Sequence, residues 1–239
     1  MERLQEVTHL NATGVQALIK GDGGNALRAF KGALAIMDRV AQDPSYDDDL
    51  FENTEQFCIS QPIVGLQECN HGNVSNDNVN NTFFLYGKAI VFHASAKMDI
   101  RFANAALLFN LALTFHQGGL MASSRMGHQQ AKLQKAVSLY NLSIQVIQDD
   151  AAHASPAASA IFMAALNNSA HIQYEMCDYE ASTATLKMLE WEAYQQVSSV
   201  VQEQQQPSYC SSKLLENEDM DQLLLNVVCV KRPSTAASA

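Results

Sequence analysis

The stretch "GVQALIKGDGGNALRAFKGAL", Gly14–Leu34, decides the fold. Gly14, Gly21, Gly23 and Gly24 crowd its first half, with Lys20 before the cluster and Asp22 inside it. Two readings compete: a loop that cradles a phosphate, or a tight joint between helices. A phosphate loop needs Gly-x-x-x-x-Gly-Lys-Ser/Thr after a strand. No Lys-Ser/Thr follows these glycines, and Leu10, Gly14, Ala17 and Leu18 before them recur with helical spacing. Ala26, Phe30, Ala33, Leu34 and Met37 carry a second helical pattern. Gly21 can end the first helix in the left-handed region, where a residue without Cβ meets no clash. Asp22 can accept from the free N–H groups that open the second. The spacing therefore predicts two helices joined by a turn.

The same offsets return along the chain. Gly14 is followed by Gly21 at +7, Ala26 at +12, Phe30 at +16 and Ala33 at +19. In "NLALTFHQGG" from Asn110, Ala112 takes the place of Gly14, with Gly119 at +7. Ala136, Tyr140 and Ser143 keep the later steps beyond an enlarged turn, "LMASSRMGHQQ". In "ALNNSAHIQYEMCDYEASTATLKML", Ala170 takes the small position, followed by Cys177, Ser182, Leu186 and Leu189. These blocks resemble the tetratricopeptide repeat, a helix pair of about 34 residues. The resemblance covers roughly residues 2–42, 100–149 and 156–205. It lacks the family's usual tryptophan and the glycine of the third turn, and the repeats are not contiguous. With its "FNLAL" and "NN" runs and small-residue tail, the layout is similar to divergent tetratricopeptide proteins expanded in some unicellular algae. The implied fold is mainly α: antiparallel helix pairs stacked as a short right-handed α-solenoid.

Composition narrows the functional classes. The 239 residues are 47% hydrophobic, enough for a substantial core. The net charge is −10, and no basic run exceeds Lys231-Arg232, so a nucleic-acid partner is not expected. The N-terminus is too polar for a secretory leader, and no segment reaches the roughly 18 apolar residues of a membrane span. Cys58, Cys69, Cys177, Cys210 and Cys229 are an odd, scattered set, read as free thiols in a reducing, cytoplasmic setting. The Asn-x-Ser/Thr triplets at Asn11, Asn141 and Asn167 fall in helical patterns and read as chance matches.

Residues 43–99 break the array. Asn, Asp and Gly over 69–81 read as a loop, and the acidic run 47–49 lacks the spaced ligands of a calcium loop. "FCISQPIVGL" (57–66), "FFLYGKAIVFHA" (83–94) and "LLLNVVCV" (223–230) read equally as strands or as buried helical segments. As strands, the first two pair across the Asn-rich loop and make a small antiparallel sheet beside the helices. Residues 206–239 form a C-terminal segment with that third candidate strand and an unpacked tail, "RPSTAASA".

Motifs of chemistry are absent from the sequence. Cys69-x-His71 has no second pair at zinc spacing, and no nucleophile, dinucleotide or metalloprotease signature accompanies the seven histidines. No metal, cofactor or catalytic activity is expected. The family resemblance implies instead a protein or peptide partner held on the first helix of each pair. Carried over block by block, that face comprises Asn11, Val15 and Leu18, then Phe109, Leu113 and His116, then Asn167, His171 and Tyr174. Asparagine there can bond an extended peptide's backbone, and the aromatics can hold its side chains. None of the nine is lysine or arginine, so the chaperone-type carboxylate clamp is not expected. Two alternatives stand beside the adaptor: an enzyme with an unrecognised helical site, and a structural module whose groove its own chain fills.

Overall fold

The computed structural model describes residues 2–43, 57–62, 85–92, 99–121, 126–148, 156–203 and 217–230. The protein is mainly helical. Its described elements are α1 (Glu2–Ile19), α2 (Gly23–Ala41), β1 (Phe57–Pro62), β2 (Lys88–Phe92), α3 (Ile100–Leu120), α4 (Met126–Gln148), α5 (Pro156–Glu175), α6 (Tyr179–Glu203) and α7 (Asn217–Val230). Each helix packs on the helices before and after it, and α1, α3, α5 and α7 also touch their neighbours in an inner row. The acidic run 47–49, the Cys69/His71 pair and the 231–239 tail lie outside the described residues.

The first and third turns share one construction. Asp22 N–H donates to Ala17 C=O at 2.9 Å and Gly21 N–H to Leu18 C=O at 3.0 Å, closing α1 with Gly21 at φ 77°. Asp178 N–H donates to Gln173 C=O at 2.8 Å and Cys177 N–H to Tyr174 C=O at 2.9 Å, closing α5 with Cys177 at φ 61°. This bond pair marks a helix end that needs one left-handed residue. The next residue then caps the following helix. Asp22 Oδ1 accepts from Asn25 N–H at 3.1 Å, and Asp178 Oδ1 from Ala181 N–H at 3.2 Å. The bond to Asn25 N–H favours the ionised carboxylate and, with Asn25's side chain, lowers the pKa of Asp22. Cysteine at the left-handed position pays a steric penalty that glycine avoids.

Small residues set how closely the paired helices cross. A Cβ on Gly14 would stand 2.6 Å from the Phe30 ring, and one on Gly119 would stand 2.7 Å from Leu133. Ser143 Oγ donates across its pair to Ala105 C=O at 2.9 Å, and Ser182 Oγ to Ala170 C=O at 2.9 Å. Ala112, Ala136 and Ala170 are fully buried beside them. These positions carry the repeated spacing because only a small side chain lets two helix backbones meet there.

β1 and β2 pair antiparallel, with Phe57 opposite Phe92, Cys58 opposite Val91 and Ile59 opposite Ile90. The third candidate strand, 223–230, is instead the end of α7. Leu223, Asn226 and Val227 turn inward at helical spacing while Leu225 is exposed, so a 3.6-residue period serves this run better than alternation. β2 lies against α1 and α3, and the chain leading into it reaches α5. Residues 85–92 thus form a strap across the inner row, running from the third helix pair back toward the first.

A strap clamped by side-chain amides on the inner helices

Asparagines from three inner helices hold the strap by its backbone. Asn110 on α3 accepts Ile90 N–H at 2.8 Å and donates to Ile90 C=O at 2.8 Å. Its amide pairs with one residue's two backbone groups as a neighbouring strand would. Asn11 on α1 donates to the same carbonyl at 3.0 Å and accepts a bond of 2.9 Å from Asn110. Four residues earlier, Asn168 on α5 repeats the pairing, accepting Tyr86 N–H at 3.0 Å and donating to Tyr86 C=O at 2.9 Å. All three asparagines are buried. Buried backbone groups must be paired, and these amides supply the pairing where no helix backbone can. Apolar contacts fill the space between. Leu85, Tyr86, Ala89, Ile90 and Phe92 are buried, and the Tyr86 ring packs against Phe109, centroids 6.2 Å apart.

A second set of bonds leads away from Asn168. Its Nδ2 also donates to the Tyr140 hydroxyl at 3.1 Å. That hydroxyl lies 3.3 Å from His116 Nδ1, and His116 Nε2 lies 3.2 Å from His171 Nδ1. The direction of every bond follows from Asn168. Its oxygen is committed to Tyr86 N–H and to Asn167 Nδ2, so its nitrogen faces Tyr140. Tyr140 accepts there, and among the described residues the one acceptor for its proton is His116 Nδ1. His116 therefore carries its proton on Nε2 and gives it to His171 Nδ1, which leaves His171 protonated at Nε2. Upstream, Asn226 on α7 donates to Asn167 Oδ1 at 2.6 Å. The donors run one way from α7 to the histidine pair, an order in which each bond polarises the next.

Burial holds both imidazoles neutral. Desolvation pushes His116 well below the ordinary histidine range, and the neighbouring His171 adds to the shift. Desolvation alone brings His171 down to about 4. Burial likewise raises the Tyr140 hydroxyl, against a smaller opposing effect from Asn168. Burial is the largest cause at each ring, and both rings are closed to solvent. The arrangement is a neutral hydrogen-bond wire. Among the described residues no group of three or more His, Cys, Asp or Glu could hold a metal ion. No described helix is long and apolar enough to cross a membrane.

The nine residues expected to line a concave groove do not line an open one. Asn11, Val15, Leu18, Phe109, Leu113, His116, Asn167 and His171 are buried, and Tyr174 is half-buried against Tyr179, ring centroids 5.3 Å apart. Asn11 and Phe109 meet the strap, whereas Asn167 holds Asn226 of α7 and His116 and His171 hold each other. Val15, Leu18 and Leu113 belong to the apolar core. Sequence reasoning missed Asn110 and Asn168, which make the two-bond clamps. Both stand two residues before the small positions Ala112 and Ala170, and that shared offset is the signal that could have found them. No family model matches this chain, and neither a curated protein nor a solved structure matches it.

Proposed function

We propose that this protein is a non-catalytic adaptor or scaffold of tetratricopeptide type. Its three antiparallel helix pairs form a short right-handed solenoid that engages a protein or peptide partner in the cytoplasm through the inner helices. The observation that supports this reading is the amide clamp. Asn11, Asn110 and Asn168 bond the backbone of Tyr86 and Ile90 and leave side-chain choice to the apolar surface beneath. A receptor for an extended segment needs that division of labour, because backbone bonds give affinity and side-chain pockets give selectivity. Residues 85–92 take the ligand's place in the resting chain, so a partner's segment competes with the strap.

The test uses the full chain with its strap weakened by Tyr86→Ala and Ile90→Ala, and a fluorescein-labelled peptide of residues 83–94. Saturable binding by anisotropy is expected, at least tenfold weaker once Asn110→Ala is added. Absence of saturable binding to the folded, strap-weakened chain overturns the reading.

A second reading, that the strap is permanent core and the fold a self-filled structural module, is favoured by one observation. Leu85, Tyr86, Ile90 and Phe92 are all buried. At about 1.5–3 kcal/mol for each such side chain, a competitor starts about 6–12 kcal/mol behind the strap. Under this reading the labelled peptide binds neither chain.

A further inference from the structure

The strap has two clamps, and only one is wired to titratable groups. Asn110 and Asn11 close on Ile90 and on each other. Asn168 closes on Tyr86 and, through Tyr140, on His116 and His171. We propose that the His116–His171 pair is an acid-sensitive latch: protonation of the pair is coupled through Tyr140 and Asn168 to release of the Tyr86 backbone, while the Ile90 clamp stays closed.

The coupling follows from the direction of the bonds. A proton taken up by His171 sits on Nδ1, where it meets the Nε2 proton of His116 across 3.2 Å. Two donors cannot share that contact. His116 can relieve the conflict by moving its own proton to Nδ1, which then points at the Tyr140 hydroxyl. Tyr140 now accepts from both His116 and Asn168, and its own proton has lost its acceptor. Asn168 can supply one by turning its oxygen toward Tyr140. That rotation brings Nδ2 against Tyr86 N–H and against Asn167 Nδ2, and both clamp bonds to Tyr86 are lost. Each alternative leaves a buried polar group unpaired, so the closed latch requires the neutral pair.

The groups facing the pair favour the same outcome. His116 is met by His171 from α5 and Tyr140 from α4, and the Tyr86 ring packs on Phe109. Burial is the largest cause of the shift at both rings, and His171 adds to it at His116. A second proton on the pair breaks the donor order of the closed state, so acid favours the opened one.

Amide hydrogen exchange of the full chain, corrected for intrinsic rate, reads the two clamps separately. Tyr86 N–H reports Asn168, and Ile90 N–H reports Asn110. Between pH 7 and pH 5, Tyr86 is expected to lose about 30-fold more protection than Ile90. That factor corresponds to the 1.5 pH steps below the ordinary histidine value of 6.5. His171→Gln, whose amide oxygen can accept from His116, is expected to remove the difference. Equal loss at both amides, no loss at Tyr86, or an unchanged acid response in the folded variant overturns the latch. The wild-type chain gives a test that does not depend on the variant folding. Imidazole nitrogen spectra at pH 7 are expected to show His116 and His171 both protonated at Nε2. An Nδ1-protonated ring at either residue overturns the proposal.

Discussion

Replacing Asn110 by alanine tests whether a side-chain amide serves as the strap's missing neighbour strand. Asn110 makes three bonds of 2.8–2.9 Å, two to Ile90 and one to Asn11. Truncation leaves the buried Ile90 N–H with no partner, at about 1–3 kcal/mol. Ile90 C=O still receives Asn11 at 3.0 Å, but Asn11 Oδ1 loses its donor. With about 1 kcal/mol for each of the other two bonds, the total is about 3–5 kcal/mol. That is a large part of the about 5–15 kcal/mol by which a domain is stable. Asn11→Ala removes one of two donors to Ile90 C=O and is expected to cost only about 1–2 kcal/mol. The two variants share a bond, so the double variant should cost about 1 kcal/mol less than the sum. Asn110→Asp keeps the acceptor for Ile90 N–H but sets a carboxylate oxygen against Ile90 C=O and Asn11 Oδ1, and should be no milder than alanine. Urea unfolding followed by far-ultraviolet dichroism gives the energies, and exchange of Ile90 N–H locates the effect. The reasoning is refuted if Asn110→Ala lies within about 0.5 kcal/mol of wild type, or if Ile90 N–H stays protected in it.

Gly14→Ala should force a methyl group into the fully buried Phe30 ring, cost about 1–3 kcal/mol, and be partly rescued by Phe30→Leu. Thermal melts of the single and double variants check both expectations. Cys177→Gly should stabilise the chain by about 1 kcal/mol, because the φ of 61° is free of steric cost only for glycine. An unchanged melting temperature would refute that reading of the third turn. Acid should destabilise the fold from about pH 6.5 downward. Both folded imidazoles titrate below their unfolded value of 6.5, so the unfolded chain binds protons first. The penalty grows until the folded rings themselves protonate, near pH 4 for His171. At pH 5 it is about 2 kcal/mol for His171, with His116 adding in the same direction, and urea unfolding at pH 7, 6 and 5 measures it.

The helix pairs were legible because their determinants are local. Gly21-Asp22 carries both the left-handed residue and the cap, so one dipeptide ends α1 and starts α2. Cys177-Asp178 does the same with a poorer residue in the left-handed place, and there the repeated offset revealed what composition hid. The C-terminal run "LLLNVVCV" failed as a strand because an unbroken apolar run fits either period. The "NEDMDQ" ahead of it decides for helix, because its acidic residues suit a helix N-terminus.

The site was less legible because it depends on orientation and on distant pairing. A helix turns by about 100° per residue, so a groove face taken one position early selects different side chains. Placing the face on Phe109 and Asn167 selected a ring that packs beneath the strap and an amide that holds α7. The clamps belong to their next neighbours, Asn110 and Asn168. The strap's strand character could be read from "LYGKAIVF", since branched and aromatic residues favour extended backbone. Its place could not. Nothing in residues 85–92 encodes that Tyr86 meets Asn168, 82 positions away, because the bonds engage backbone groups that every residue other than proline possesses. A contact that reads only backbone leaves no mark on the sequence it reads. Its trace is on the other partner, in buried asparagines whose cost in an apolar core makes sense only when something extended lies against them.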